Sequence, residues 1–274
     1  MKIDGNTKLF ALIGNPVEHS YSPKIHNSQL ELNGINGKYM AFDVKEENLE
    51  KAIRGLYALG ALGVNVTVPY KEKVIPFLEG LSKEAELIGA VNTLVKGENG
   101  FYGENTDGQG FLKSLKKEKN FLVENKKILI LGSGGAARGI GVSMALAGAS
   151  EIYFVNRTLE KAINLKKIIE SNTGTKVWGW DYSNERIPDG KISTSDLIVN
   201  STNIGMFPDI NLKPDVNYDL IHSGQLVVDL VYNPKETFFL KEASNRGAET
   251  LNGSGMLYYQ GELAFKLWTG KNFK

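Results

Sequence analysis

Short apolar runs alternate with longer segments whose apolar positions recur at helical spacing in the N-terminal hundred residues. The runs predict strands and the spaced segments predict helices. The predicted strands are 9–13, 39–44, 64–68, 91–95 and 101–102, and the predicted helices are 23–32 and 46–59. Gly97 to Gly100 separates the last two strands in the manner of a hairpin turn. This alternation favours an α/β sheet.

The alternation restarts after a polar, lysine-rich segment at 113–125, which we assign to the end of a helix and a surface loop. The strands predicted after this segment are short, continuous aliphatic runs. Such runs are typical of parallel strands that are covered on both faces. The predicted strands are 128–131, 151–155, 197–199 and 226–230, and the predicted helices are 136–147 and 159–170. The last segment, 255–268, predicts a helix that packs back on the first domain.

Composition narrows the classes of protein that fit this α/β pattern. The 274 residues are long enough for two domains, and the net charge of +1 argues against nucleic-acid and membrane partners. The absence of cysteine excludes disulfides and thiolate chemistry, and three histidines without further ligands predict no metal site. The N-terminus lacks a signal-peptide pattern, and no apolar run approaches the ~18–20 residues of a membrane span. We therefore expect a cytoplasmic protein.

A glycine-rich loop follows the strand predicted at 128–131 and precedes a predicted helix. Gly132 permits a tight turn, Gly134 lets the backbone approach a pyrophosphate, and Ala137 takes the third, small position of the motif. The N–H groups at the start of the helix then face the phosphates. The predicted nucleotide-binding residues are Gly132, Ser133, Gly134, Gly135, Ala136 and Ala137.

The second strand of the same domain ends in Asn156, Arg157 and Thr158. NAD sites usually carry an acidic residue here, which accepts hydrogen bonds from the ribose hydroxyls. Arg157, with Lys161 four residues later, suits a 2′-phosphate instead, because a guanidinium grips phosphate with two hydrogen bonds. This favours NADP. The alternative is a surface arginine beside a helix that Thr158 caps.

Polar residues in the first domain form a second group of candidates. Ser22 fits the N-cap of a helix that starts with Pro23, and Ser20 and Ser22 can both donate to a carboxylate there. A plain helix cap explains Ser22 but leaves Ser20 unexplained.

The strand predicted at 64–68 alternates polar and apolar residues. Asn65 and Thr67 are expected on one face, with Val66 and Val68 on the other. Lys71 follows at the end of the strand, where open α/β sheets bind ligands, although most isolated lysines are solvated. Asn92, within an apolar strand, needs a partner or a ligand. Asp107 is either a helix cap or a site residue.

Together these motifs closely resemble the shikimate dehydrogenase family, and the resemblance covers essentially the whole chain. The matching segments are 20–23, 65–71, 89–93, 105–108, 132–136, 156–158, 200–202 and 255–260. The resemblance implies reversible, NADPH-dependent reduction of 3-dehydroshikimate to shikimate on the route to aromatic amino acids. It implies an N-terminal α/β substrate domain (1–106, completed by 253–274) and a Rossmann-like NADP-binding domain (107–252). C-terminal helices would return to the substrate domain, and a cleft would close on the ligands.

The resemblance also implies roles for individual residues. Lys71, paired with Asp107, would be the acid–base residue, and Ser20 and Ser22 would bind the substrate carboxylate. Further implied substrate ligands are Asn65, Thr67, Asn92, Asp107, Tyr232 and Gln260. Further implied cofactor ligands are Asn156, Arg157, Thr158 and Lys161, with Leu230 and Gly253 near the nicotinamide. Many relatives have arginine where this chain has Lys161, which implies a weaker phosphate clamp.

Three other functions fit part of the pattern. A quinate/shikimate dehydrogenase using NAD or NADP shares the same motifs, although Arg157 argues against NAD. A non-catalytic NADP-sensing module would not need Lys71 and Asp107 together. A methylene-tetrahydrofolate-type dehydrogenase would need a larger, more aromatic pocket than the Ser20/Ser22 motif indicates. A monomer and a homodimer are both compatible with the sequence.

Overall fold

The computed structural model describes residues 3–181 and 187–274, except for the side chain of residue 161. The chain folds into two compact units. Unit 1 comprises Met1–Gly110 and Tyr258–Lys274, and unit 2 comprises Phe111–Leu257. No helix in the described part of the chain is long and apolar enough to cross a membrane.

Unit 1 contains a six-stranded mixed sheet with the strand order β2-β1-β3-β5-β6-β4. The strands are β1 (Lys8–Gly14), β2 (Gly37–Asp43), β3 (Gly63–Val66), β4 (Gly80–Leu81), β5 (Thr93–Lys96) and β6 (Phe101–Glu104). The helices are α1 (Ser22–Leu32), α2 (Leu49–Ala58, after a 3-10 turn at Glu46–Asn48), α3 (Lys83–Ile88) and the start of α4 (Asp107–Lys119). A second 3-10 turn covers Ile75–Phe77. The predicted hairpin is confirmed, because β5 and β6 pair antiparallel and Gly97 N donates to Gly100 O at 2.8 Å.

The strands of unit 1 differ from the predicted bounds by up to two residues at either end, and two of these differences concern site residues. β3 ends at Val66 rather than at residue 68, and Val68 is 67% exposed, because the chain turns away after the last ladder position. Thr67 therefore lies just beyond the strand. β5 begins at Thr93, so Asn92 precedes the strand instead of lying within it. The short elements β4 and α3 were not predicted.

Unit 2 contains a six-stranded, fully parallel sheet with the order β12-β11-β10-β7-β8-β9, which is the Rossmann order. The strands are β7 (Lys127–Leu131), β8 (Glu151–Asn156), β9 (Lys176–Asp181), β10 (Leu197–Asn200), β11 (Leu226–Asp229) and β12 (Glu249–Asn252). The helices are α5 (Gly135–Leu146), α6 (Leu159–Asn172), α7 (Asp189–Ser193) and α8 (Phe238–Ser244), with a 3-10 turn at Tyr218–Leu220. The predicted α/β class is confirmed, whereas β9, β12, α7 and α8 were not predicted.

The alternation of β1 divides the core of unit 1 into two layers. Ala11 and Ile13 face a cluster that includes residues of α2, and Phe10 and Leu12 face the opposite side. The last helix, α9 (Ser254–Thr269), contributes Phe265 to that second layer. The C-terminal part of α9 therefore belongs to unit 1.

His26 lies at the centre of the second layer. Its ring stacks on Tyr39 with centroids 4.5 Å apart, and the rings of Phe265, Trp268 and Phe273 surround it. Burial disfavours the charged imidazolium and lowers the pKa of His26 to about 3. The folded chain therefore holds His26 neutral.

Acidification is expected to destabilise the fold through His26. The folded pKa is depressed, so unfolded chains bind a proton below about pH 6.5 while folded chains do not. The stabilisation is complete above pH 6.5 and is lost as the pH falls towards 3. Between pH 7 and pH 5 this amounts to about 2 kcal/mol of unfolding free energy. Urea unfolding at pH 7 and at pH 5 measures this loss of unfolding free energy. In His26→Phe, which keeps an aromatic ring, the loss between the two pH values should be smaller by about 2 kcal/mol. Equal pH dependence in the two proteins would contradict a buried neutral histidine.

Candidate active site

Lys71 and Asp107 form an ion pair in unit 1. Lys71 follows β3 after a short turn, and Asp107 is the first residue of α4. Lys71 Nζ lies 2.6 Å from Asp107 Oδ2, and the two side chains are 22% and 9% exposed. Partial burial makes this charge-assisted hydrogen bond stronger than a surface pair. The structure thus brings together two predicted site residues that are 36 positions apart.

Asn92 holds the other carboxylate oxygen of Asp107. Asn92 Nδ2 donates to Asp107 Oδ1 at 2.8 Å, and Asn92 Oδ1 accepts from the Thr106 N–H at 2.8 Å. Asn105 Oδ1 accepts from the Asp107 N–H at 3.1 Å. These contacts fix the orientation of Asp107, so one of its oxygens remains directed at Lys71.

Gln260, on α9, approaches the same network. Its Oε1 lies 3.4 Å from Asn92 Nδ2. Gly110 permits this approach, because a Cβ at that position would lie 2.6 Å from the backbone nitrogen of Gln260. The C-terminal helix therefore adds a polar group to a site formed by the N-terminal part of the chain.

Asn65 is buried on β3, and both its amide nitrogen and its amide oxygen hydrogen-bond to protein groups. Its Nδ2 donates to Asn92 O at 3.1 Å and to Thr93 Oγ1 at 3.2 Å, and its Oδ1 accepts from Tyr39 Oη at 2.7 Å. Thr67 is half-buried two residues later. Tyr39 and Thr93 were not among the predicted site residues, although Thr93 belongs to a matching motif.

Ser20 and Ser22 lie at the start of α1, but the predicted capping is wrong. The backbone is already helical at Tyr21 (φ −80°, ψ −11°), so Tyr21 is the N-cap and Ser22 is the first helical residue. Ser20 Oγ accepts from the Ser22 N–H at 3.3 Å, and the Ser22 hydroxyl hydrogen-bonds to Tyr39. Ser22 is therefore not a simple helix cap.

The glycine-rich loop of unit 2 has the features of a phosphate cradle. Gly132 has φ 109°, and a Cβ there would lie 2.6 Å from Ser201 Oγ. Nothing lies within 4 Å of the positions where Gly134 and Gly135 would carry a Cβ, and no side chain caps α5. The buried Ser133 Oγ has no hydrogen-bond partner in the structure. An unpaired buried hydroxyl at an open helix N-terminus fits a pyrophosphate.

The two residues that complete the loop, Ala136 and Ala137, are small. Ala137 is fully buried in the first turn of α5, at the position where the motif takes a small residue, and Ala136 is half-buried beside it. The six predicted loop residues are contiguous in one strand–turn–helix unit, as expected for a dinucleotide site.

The segment after β8 carries the predicted 2′-phosphate residues. Asn156 Nδ2 donates to Thr158 O at 2.9 Å, and Arg157 is exposed. Thr158 occupies the N-cap of α6, but its hydroxyl makes no capping hydrogen bond, which weakens the alternative of a plain cap. Lys161 lies in α6, and its side chain is outside the described part of the structure.

Leu230 and Gly253 are brought together at the ends of β11 and β12. A Cβ at Gly253 would collide with the Leu230 carbonyl, so this close approach requires glycine. Gly253 N donates to Val231 O at 3.3 Å. Tyr232, which is 36% exposed, follows in the loop after β11.

Asp229 orders the same loop and was not predicted. Its carboxylate accepts from Thr237 Oγ1 at 2.6 Å, Asn200 Nδ2 at 2.9 Å and Val231 N at 3.0 Å. Burial raises its pKa to about 6 despite these three donors. A charged residue inside the apolar run at 226–231 was the available signal. Among residues 3–181 and 187–274, no group of three or more acidic or histidine side chains is placed to hold a metal ion.

A partly buried lysine–aspartate ion pair among amides and hydroxyls in unit 1, with a Rossmann unit in the same chain, is typical of the class of two-domain, dinucleotide-dependent dehydrogenases. Residues 12–94 match the family model of the shikimate dehydrogenase substrate binding domain. The chain belongs to the shikimate dehydrogenase family. It is 42% identical to the NADP(+) shikimate dehydrogenase of Desulforamulus reducens over 98% of this chain and 92% of that protein.

Solved structures agree with this family. The shikimate 5-dehydrogenase of Listeria monocytogenes, in complex with shikimate and NAD, superposes with a TM-score of 0.95 at 36% identity, covering 100% of this chain and 95% of that one. The enzyme of Thermus thermophilus, in complex with NADP(H) and shikimate, superposes with a TM-score of 0.86 at 35% identity, covering 98% and 95%.

Proposed function

We propose that this chain catalyses the reversible, NADP-dependent reduction of 3-dehydroshikimate to shikimate in aromatic amino acid biosynthesis. The observation that carries the proposal is the Lys71–Asp107 pair, which lies within a buried network of amides and hydroxyls in unit 1. The relatives' activity supports the choice of substrate and cofactor.

The substrate residues are proposed from their chemistry and placement. Ser20 and Ser22 bind the carboxylate at the start of α1. Asn65, Thr67, Asn92, Tyr232 and Gln260 bind the ring hydroxyls and the reacting carbonyl. A site with so many polar groups discriminates by hydrogen bonding, because a ligand that lacks a matching group leaves a protein group unpaired.

Lys71 carries the proton. As an ammonium it donates a proton to the oxygen of the ketone while that oxygen becomes an alkoxide, and as an amine it takes the proton back from the hydroxyl in the reverse direction. Asp107, held by Asn92 on its other oxygen, keeps Lys71 directed at the reacting group. When bound, the nicotinamide supplies or accepts the hydride.

We assign cofactor binding to residues 107–252 and substrate binding to 1–106 with 253–274. Gly132 to Ala137 hold the pyrophosphate, and Leu230 and Gly253 lie beside the nicotinamide. Asn156, Arg157, Thr158 and Lys161 hold the 2′-phosphate, so NADP is favoured over NAD. A cytoplasmic location and a monomeric or homodimeric state stay predictions.

A spectrophotometric assay of the purified chain tests this function. Shikimate and quinate are each offered with NADP and with NAD, and reduced nicotinamide is followed. We expect the kcat/KM for shikimate with NADP to exceed every other combination by about tenfold or more, a difference of ~1.4 kcal/mol. Preferred turnover of quinate would indicate a quinate dehydrogenase. Binding of NADP without turnover of either acid would indicate a non-catalytic sensing module.

A further inference from the structure

Asp229 lies in the half of unit 2 to which the proposed function assigns the nicotinamide. A Rossmann unit consists of two halves, and each half binds one mononucleotide of the dinucleotide. The strands β7, β8 and β9 form the half that carries the glycine-rich loop and Arg157, and β10, β11 and β12 form the other half. Arg157 is the proposed ligand of the adenosine 2′-phosphate, so the second half is left for the nicotinamide. Asp229 is the last residue of β11 and is fully buried.

The Asp229 carboxylate joins three segments of this half. Its Oδ1 accepts from Asn200 Nδ2, at the end of β10, and from the Val231 N–H, in the loop after β11. Its Oδ2 accepts from Thr237 Oγ1, which belongs to the N-cap residue of α8. The carboxyl ends of strands are where open α/β sheets bind their ligands, so Asp229 holds loops that can contact a ligand.

Asn200 carries this order into the loop after β10. Its Oδ1 accepts from the Thr202 N–H at 3.1 Å and from the Thr202 hydroxyl at 2.6 Å, and its Nδ2 also donates to Ile204 O at 3.3 Å. Its carbonyl accepts from the Leu230 N–H at 2.9 Å. Both protons of the Asn200 amide are therefore used, and the one that Asp229 accepts fixes the direction of the amide.

The same loop contacts the phosphate cradle and the loop after β11. Ser201 Oγ donates to Leu131 O at 2.7 Å, and a Cβ at Gly132 would lie 2.6 Å from Ser201 Oγ. Phe207 N donates to Asn233 O at 3.2 Å. The loops after β10 and β11 therefore form one hydrogen-bonded unit, and Asp229 holds each of them.

The partners of Asp229 need its carboxylate form. The Asn200 amide nitrogen and the Val231 N–H can only donate, so Oδ1 accepts twice. Thr237 Oγ1 already accepts from the Leu240 N–H at 3.4 Å, and it donates its own proton to Oδ2. A proton on the carboxyl group would compete with the Thr237 proton. Hydrogen bonds to a charged acceptor are also stronger than those to a neutral one, so protonation weakens the hold on both loops.

Burial raises the pKa of Asp229 to about 6, although the hydrogen bonds from its three partners lower it. The groups beside it in the described chain are neutral ones from β10, β11, β12 and α8, namely the Asn200 amide, the Val231 N–H, Asn252 and the Thr237 hydroxyl. The charged residues that precede α8, Lys235 and Glu236, are exposed. Asp229 is therefore a carboxylate at neutral pH and takes up a proton as the pH falls through about 6.

We propose that Asp229, as a carboxylate, is a positioning residue for the nicotinamide, because it holds the loops after β10 and β11 in the arrangement that orients the ring for hydride transfer. The proposal rests on the dehydrogenase function proposed above. In this assignment Asp229 does not touch the reacting atoms and acts through Asn200 and Val231. It adds a buried residue that the family resemblance did not assign.

Calorimetric titrations of wild type and Asp229→Asn test the proposal without turnover. The ligands are NADP and 2′-phospho-ADP-ribose, a fragment that keeps every phosphate and lacks the nicotinamide. In Asp229→Asn the Kd for NADP should rise about fivefold, because loops that are no longer ordered in advance are ordered on binding, and the Kd for the fragment should change less than about twofold. An unchanged Kd for NADP, or an equal rise for both ligands, would overturn the proposal.

The matched control is Asp196→Asn, in the same unit. Asp196 precedes β10, at the opposite edge of the sheet, and accepts from the Lys127 N–H and from Lys126 Nζ, each at 2.9 Å. The substitution removes a hydrogen-bonded carboxylate away from the ligand-binding loops, so both Kd values should stay within about twofold of wild type. A rise in the Kd for NADP equal to that of Asp229→Asn would trace the effect to the stability of unit 2 and overturn the proposal.

The pH dependence of binding tests the requirement for a carboxylate. The ratio of the Kd for NADP to the Kd for the fragment cancels the titration of the 2′-phosphate, which both ligands carry. In wild type this ratio should rise about fivefold between about pH 7.5 and about pH 5, because Asp229 gains a proton over that range. Asp229→Asn should show the raised ratio at both pH values. A wild-type ratio that is independent of pH, or an equal change in the variant, would contradict the carboxylate requirement and overturn the proposal.

Steady-state kinetics separate this inference from the proposed function. Asp229→Asn should lower kcat about tenfold, with the KM for shikimate changed less than about threefold, because the ring is less well oriented. Wild-type protein that turns over neither acid refutes the proposed function, whereas an active wild type with unchanged kcat and NADP binding in Asp229→Asn refutes only the inference.

Thermal unfolding shows whether Asp229→Asn folds. If it does not, Thr237→Val, which removes one donor to the carboxylate, is expected to raise the Kd for NADP about threefold and to leave the Kd for the fragment unchanged. An unchanged Kd for NADP in Thr237→Val would then overturn the proposal.

Discussion

Lys71→Ala is expected to lower kcat for shikimate oxidation by at least about 10²-fold, because general acid–base help contributes ~10²–10⁴-fold. The KM for shikimate should change much less, since the lost interaction acts on the proton in transit. The ion pair with Asp107 at 2.6 Å identifies Lys71 among the lysines of unit 1. Steady-state kinetics with saturating NADP measure the effect.

The matched control is Lys73→Ala, two residues away, which removes an exposed lysine that pairs with Glu46. That variant should keep near-normal turnover, because a surface ion pair contributes little. Near-normal turnover in Lys71→Ala would leave Lys71 as a hydroxyl-binding or surface residue.

Asp107→Asn should slow turnover about as severely, because it keeps the shape and removes the charge that orients Lys71. The losses should not multiply, since each residue acts through the other. The double variant with Lys71→Ala should therefore be little worse than the worse single variant. Multiplied losses would indicate independent roles for the two residues.

The sequence predicted site residues where a residue type and its position at the end of a strand are enough to indicate a role. Lys71 and the loop at Gly132 each follow an apolar run, and the carboxyl ends of strands in open sheets are where ligands bind. The alternation of polar and apolar residues correctly placed Asn65 inside the first sheet. The same alternation failed three residues later, at Val68, because a turn follows the ladder and exposes that side chain.

The sequence did not predict which side chains of the site hydrogen-bond to one another. In the sequence, Tyr39 is simply an aromatic residue of a predicted strand. Its hydroxyl donates to Asn65, which is 26 positions away, and the sequence does not indicate that contact. The N-cap of α1 was predicted wrongly for a similar reason. The Ser22 hydroxyl hydrogen-bonds to Tyr39, on another element, rather than to the backbone of its own helix. Short elements such as β4, with two residues, carry no periodicity that could predict them.

Arg157→Ala is expected to weaken the use of NADP far more than the use of NAD. The guanidinium follows β8, where the second strand of a Rossmann unit meets the adenosine ribose. A lost charge-assisted pair costs about 1.5–3 kcal/mol, so kcat/KM with NADP should fall roughly 10- to 150-fold. Turnover with NAD, which has no 2′-phosphate, should change little.

The control is Arg54→Ala, which removes an exposed arginine of unit 1 that pairs with Glu50 on the same helix. That variant should leave the kinetics with both cofactors unchanged. Salt gives a second check, because an exposed contact between Arg157 and a phosphate is screened as ionic strength rises. The preference for NADP in the wild type should therefore narrow at high salt, and Arg157→Ala should show little further narrowing. Equal losses of NADP and NAD turnover in Arg157→Ala would refute the 2′-phosphate role and leave Arg157 as a residue that supports the fold of the loop.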